Sequence, residues 1–198
     1  MPTAGTASAL AGIIALVLLT VSLVLGVAVN QRRELPRAVR YPSRRLHENV
    51  SFLALGFLLI HVLTAIGGPF SRVQLLVVII PFIAGPGRLW LGLGAIAFDL
   101  LVAVVVTSAA RRRIGRRTWR AVHWTSYACW PAAEAHSIGF GFGFRSGRLF
   151  DLAIACLVAV VAAVCWRLIA AVRHSRRRRD SGHRRPVTEG SLLKERHG

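Results

Sequence analysis

Cysteine is scarce in this 198-residue chain, and its spacing is wrong for chemistry: there are three residues, Cys129, Cys156 and Cys165, with no Cys-x-x-Cys among them. An odd number at these positions argues against a disulfide framework or a thiolate metal site, and the lack of Cys-x-x-Cys-His excludes covalent c-type haem attachment. Acidic residues are few as well, eight against 26 Lys and Arg, for a net charge of +18. Lysine is nearly missing, Lys194 being the single one; nothing physical demands this, and the arginine bias reads as a coding habit. Yet 54% of the chain is apolar and the mean hydropathy is +0.53. A soluble domain or a disordered arm this basic would hold less apolar material, so the two properties must occupy different segments. They do: long uncharged runs alternate with short arginine clusters, which excludes a soluble globular enzyme and predicts an integral membrane protein.

The first uncharged segment runs from about Ala9 to Val29, enough at about 1.5 Å per residue to cross a hydrocarbon core of about 30 Å. No Lys or Arg precedes it, so it reads as an uncleaved span and not as a signal peptide. Further spans are expected at Leu46–Ile66, Leu89–Ala110, Trp119–Ile138 and Phe150–Val172. Lys and Arg number none before the first span, six in 31–45, two in 69–88, six in 111–120, two in 139–149 and nine after 172. By the positive-inside rule this alternation predicts an all-α polytopic bundle of five transmembrane helices in the plasma membrane, N-terminus outside and C-terminus cytoplasmic. Residues 1–45 then form an N-terminal span and a basic loop, 46–172 a four-helix unit, and 173–198 a basic tail. The dozen apolar residues Val73 to Ala84, which include Pro81, are too few to span and predict an interfacial or re-entrant segment on the outer face. The tail, rich in Arg, Ser, Gly and Pro, is expected to be disordered against an anionic leaflet; its arginines serve orientation and lipid contact, and nucleic-acid binding is not expected. No internal repeat of fixed period is evident.

Of seven histidines, His174, His183 and His197 fall in the polar tail, while His47, His61, His123 and His136 fall in predicted spans. Ionisable residues at membrane depth are costly and mark function. His47 and His61 are 14 residues apart, about 21 Å along an ideal helix and about 40° short of four full turns, so they share a face near opposite leaflets. His123 and His136 are 13 apart, about 140° short of four turns, and Pro131 between them is expected to kink the helix and correct the phase. Both spans run from the cytoplasm outward, so His47 is level with His123 and His61 with His136. A pair of neutral imidazoles from facing helices supplies both axial ligands of a haem iron. A zinc or copper site fits less well, since each level offers only two imidazoles. The competing class is a haem-free membrane module whose histidines act as a proton relay or as structural and headgroup-level contacts.

At these residues, and in the context His123-Trp124-x-x-Tyr127-x-x-Trp130-Pro131, the sequence resembles the ferric-reductase-like transmembrane domain family, which includes the membrane portion of NADPH oxidases and the haem subunit of the periplasmic methionine sulfoxide reductase system. The resemblance covers about residues 46–172, and the 14/13 histidine spacing is its most specific element. It implies two b-type haems, an inner one on His47 and His123 and an outer one on His61 and His136, in a transmembrane electron-transfer protein feeding an extracytoplasmic acceptor. The family's larger members continue into flavin- and nicotinamide-binding domains, whereas this chain ends about 26 residues after the fifth predicted span. No flavin or NAD(P) site is therefore expected here, and the donor is expected to be a separate flavoprotein or quinol. Whether the chain is an enzyme or a component of one is left open.

Gly92-x-Gly94-x-x-Ala97 matches a dinucleotide fingerprint on paper, but it lies within the third span with no preceding strand and is set aside. Asp99 and Glu134 are intramembrane acids. Glu134 either tunes a haem or is a protonated acid bonded between helices, and Asp99 reads as the latter. Glu134 is about 200° from His136 on an ideal helix, which argues against a direct bond between them. The outer segment Gly139 to Phe144, with Arg145 and Arg148, either exposes an outer haem edge and meets its propionates or is a plain connection with aromatic anchors. Arg111, Arg112, Arg113, Arg116, Arg117 and Arg120 near His123 could likewise meet propionates, although topology alone accounts for them.

Overall fold

The computed structural model describes residues 4–31, 37–67, 76–83, 87–140 and 147–183. Among these there is no strand, and the order of helices is α1 (Ala4–Gln31), α2 (Arg37–Ile66), α3 (Arg88–Ala109), α4 (Arg111–Ile114), α5 (Arg116–His123), α6 (Ser126–Phe140) and α7 (Arg148–His183). Four of them carry segments long and apolar enough to cross a membrane: Gly5–Val29, Ser43–Ile66, Arg88–Ala109 and Phe150–Arg173. The chain is a multi-pass membrane protein.

The fourth expected span, Trp119 to Ile138, is not one helix. It divides at Trp124 and Thr125 into α5 and α6, while Pro131 sits inside the continuous α6. The proline, where the sequence predicts the disturbance, is not where it falls. Hydroxyls make the break instead: Thr125 Oγ1 donates to Val122 O at 2.7 Å and Ser126 Oγ to His123 O at 2.7 Å, so side chains satisfy carbonyls at the end of α5. His123 and His136 thus lie on different helices, and the phase that failed on an ideal helix no longer applies. A glycine makes a second turn, between α4 and α5, where Gly115 has φ +78° and no space constraint; its left-handed backbone suits a residue without Cβ.

Lipid is as apolar as a leucine side chain, so helices in a membrane associate by close packing and hydrogen bonding. The most extensive packing here joins α1 to α2, followed by α3 to α6, and α1 also lies against α6 and α7. The α1–α2 seam uses small residues: Ala11, Ala15 and Ala54 are buried, and a Cβ at Gly12 or Gly26 would press on a histidine of α2. A buried core also rests on α1. Trp130, Cys156 and Val160 pack against Val17, Leu19, Leu23 and Val164, and the Trp130 indole donates to Thr20 Oγ1 at 2.8 Å. α1 is therefore a central helix. By contrast α2 is open: only 6% of its apolar window is buried, against 28% for α1.

Two expectations at the edges change in detail. α7 continues to His183, beyond the apolar segment that ends at Arg173, because the arginines that follow are good helix formers and no breaker intervenes before Ser181-Gly182. Residues 184–198, the rest of the expected tail, lie outside the described residues. Of the outer segment expected at 73–84, residues 76–83 are described: 76–79 is helical, a turn follows at 81–82, and Phe82, at φ 66°, lays its ring where a Cβ on Gly92 would stand.

Gly139 is equally constrained, since a Cβ there would overlap the Trp90 indole, whereas Gly56 has nothing within 4 Å. Gly56→Ala is expected to hold or raise the thermal midpoint of the detergent-solubilised protein, by up to about 1 kcal/mol of helix propensity. Gly139→Ala must displace an aromatic ring and is expected to lower it. Equal midpoints for the two variants would refute the close packing of Trp90 on α6.

Candidate functional site

The four intramembrane histidines come together as two pairs. In one pair the His61 and His136 rings face each other with centroids 6.3 Å apart and planes at 74°. In the other, His47 is near enough to His123 to act on it electrostatically. α2 packs on α1, and α6 packs on α3, α1 and α7; among the described residues α2 and α6 are not packed side by side. These two histidine-bearing helices stand apart, with the His61 and His136 rings between them.

Each ring is oriented from behind. His61 Nδ1 donates to Ser8 O at 2.8 Å, and Ser8 Oγ donates back to His61 O at 3.1 Å. His47 Nδ1 donates to Ser22 O at 2.9 Å. The return link there has one more hydroxyl: Ser22 Oγ meets Ser51 Oγ at 2.7 Å, and Ser51 Oγ donates to His47 O at 2.7 Å. His136 Nδ1 donates to Trp90 O at 2.8 Å. A ring that donates from Nδ1 carries its lone pair on Nε2, the arrangement a metal-ligating imidazole needs.

In each case a glycine sits one helical turn after the accepting carbonyl, at position i+4: Gly12 after Ser8, Gly26 after Ser22, Gly94 after Trp90. The reason is steric. In an α-helix the carbonyl of residue i points toward the N–H of residue i+4, so a side chain there would crowd a ring approaching that carbonyl. A Cβ would stand 2.8 Å from His61 Nδ1 at Gly12, 2.7 Å from His136 Nδ1 at Gly94, and 3.4 Å from His47 Cε1 at Gly26. Gly94 and Gly92, which mimic a dinucleotide fingerprint, are here to admit an imidazole and the Phe82 ring.

These residues fit a haem. A metal–imidazole bond is about 2 Å and the ring radius about 1.1 Å, so two rings on opposite sides of one ion hold their centroids about 6 Å apart, as His61 and His136 do. Residues 11–133, more than half of the chain, match the family model described as ferric reductase like transmembrane component. The chain belongs to that family. The ferric-reductase-like match takes in most of α1, together with His47, His61 and His123, and stops short of His136. Comparison with curated proteins and with solved structures finds no match. The family makes the chain a transmembrane module of an electron-transfer type whose domains typically bind haem and work with separate redox partners.

The other candidates divide. Glu134 is buried, and its carboxylate oxygens have no hydrogen-bond partner among the described residues; the direct bond to His136 that helix phase argued against is not made. Asp99 is exposed on α3 and so is not a buried acid bonded between helices. The three cysteines are free thiols, and Cys129 donates to Ala97 O at 3.2 Å. Residues 141–146, including Arg145, and the Arg148 side chain lie outside what is described. The arginines of α4 and α5 are exposed, and Arg167 of α7 lies over the Trp124 ring, 4.6 Å from its centroid, and donates to the Tyr127 hydroxyl. Sequence reasoning misses the orienting residues Ser8, Gly12, Ser22, Gly26, Trp90 and Gly94. A signal for four of them exists: the Ser-x-x-x-Gly of α1 occurs twice, at Ser8–Gly12 and Ser22–Gly26, and the interval between the two copies equals that between His47 and His61.

Proposed function

We propose that the chain is a di-haem cytochrome b module that passes single electrons across the plasma membrane, from a cytoplasmic flavoprotein or quinol to an extracytoplasmic acceptor. The observation that carries this reading is the outer pair, two imidazoles at 6.3 Å, each turned by a carbonyl that accepts its Nδ1 proton and so leaves the lone pair on Nε2. His61 and His136 would hold an outer haem, and His47 and His123 an inner one. Haem held by these histidines would supply one-electron iron chemistry, which suits electron transfer. The protein's own work is to fix four rings in the right tautomer at two depths.

The positive-inside pattern supports five crossings, N-terminus outside, with α5 and α6 together forming the fourth. Two parallel ligand-bearing crossings are what put the histidines level. Dithionite-reduced minus oxidised spectra of the purified protein are expected to show a b-type α-band. A purified, folded chain with no such band would leave the histidines as polar contacts or a proton relay.

A further inference from the structure

Three of the four histidines share one device: a helix carbonyl accepts the Nδ1 proton, and a glycine one turn on makes room. His123 does not share it; its Nδ1 is buried without a hydrogen-bond partner among the described residues, and the ring is instead stacked on Trp119, centroids 5.0 Å apart and planes at 22°. The place where the fourth device belongs can be read from α3. α3 runs antiparallel to α5 and α6: His136 meets Trp90 at one end, and Trp119 Nε1 donates to Ser108 Oγ at 3.3 Å at the other. One turn along from Trp119, His123 is therefore level with Ala103 and Val104, one turn back from Ser108. The interval agrees, since Trp90 and Ala103 are as far apart in sequence as His123 and His136. At the i+4 position from Ala103, where the other three sites have glycine, stands Thr107. Its hydroxyl donates to Ala103 O at 2.7 Å and Val104 O at 3.2 Å. Such a bond is ordinary for a helical threonine; here it falls on the carbonyl that the register assigns to His123.

We propose that Thr107 makes the two haem sites unequal, by occupying the carbonyl of Ala103 and so withholding it from His123. This rests on the di-haem reading. The outer site then has two imidazoles anchored through Nδ1, and the inner site has one, His47. A carbonyl behind a ligating ring raises the basicity of that ring, and a more basic axial ligand favours ferric over ferrous iron, so hydrogen bonding behind the ligand is a lever on potential. His123 is the weaker donor of the four, and its site is the more easily reduced for that reason.

The test is optical redox potentiometry of the purified protein, with the two waves assigned by which is lost in His61→Ala (outer) and in His47→Ala (inner). Thr107→Gly frees the carbonyl and clears the space, and is expected to shift the inner wave to lower potential while the outer wave stays. Thr107→Ser keeps the hydroxyl on the carbonyl and Thr107→Ala keeps a Cβ in the way, so both are expected to leave the inner wave in place. The mirror variant Gly94→Ala, which forces His136 off the Trp90 carbonyl, is expected to raise the outer wave and serves if Thr107→Gly does not fold. An inner wave unmoved in Thr107→Gly, or moved as far in Thr107→Ser, would overturn the inequality with the di-haem reading intact. A wild-type protein without haem would instead overturn that reading itself.

Discussion

The His61→Ala protein is expected to hold half the haem of the wild type, and the His61→Ala/His136→Ala double variant to hold the same half. The two rings face one another at 6.3 Å, so on the proposed di-haem reading they would serve one iron, and the second substitution would remove a ligand from a site already lost. Residues that act as a unit are non-additive in this way. The cross-level variant His61→Ala/His123→Ala takes one ligand from each site and is expected to hold none. Pyridine haemochrome per mole of purified protein measures all three. A cross-level double that keeps half the haem, or a same-level double that loses all of it, shows that the pairs are wrongly drawn.

Trp130→Ala is expected to be the most destabilising single substitution in the core, by about 3–5 kcal/mol as for other buried aromatic truncations. Trp130 is 4% exposed, lies in the cluster that joins α6 to α1 and α7, and donates to Thr20. Trp130→Phe keeps most of the packing and loses the hydrogen bond, for about 1 kcal/mol. Thermal unfolding in detergent, followed by helical circular dichroism, orders the two. Trp130 touches none of the four histidines in any described contact, so the haem spectrum of protein that does fold is expected to be unchanged. A Trp130→Ala midpoint equal to wild type would mean that α1 is not anchored to α6 through this residue.

The four candidate histidines are legible because histidine is costly in lipid, and the arginine clusters predict a topology independently; together they lead to the expectation that His47 is level with His123 and His61 with His136. What orients those rings is not legible. Backbone carbonyls leave no mark in a sequence, and the residues that expose them, Gly12, Gly26 and Gly94, look like the small residues any membrane helix uses for packing. The break at Trp124 and Thr125 is hidden for a related reason. Pro131 is the conspicuous residue, yet it is accommodated within α6, while the hydroxyls of Thr125 and Ser126, unremarkable in composition, divide the helix. The role of α1 escapes a sequence reading because a helix without titratable groups shows no sign of a part in the site.

Ser8 meets His61 and Ser22 meets His47, so the step forward along α1 from Ser8 to Ser22 matches the step back along α2 from His61 to His47. The two contacts are made by one pair of straight helices with matched intervals, and they therefore share a single sliding coordinate. Moving α1 along its axis by one residue, about 1.5 Å, would pull both carbonyls off both rings together. The orientations of His47 and His61 are thus not two independent variables: an event at either end of α1 that shifts it is registered at both rings at once.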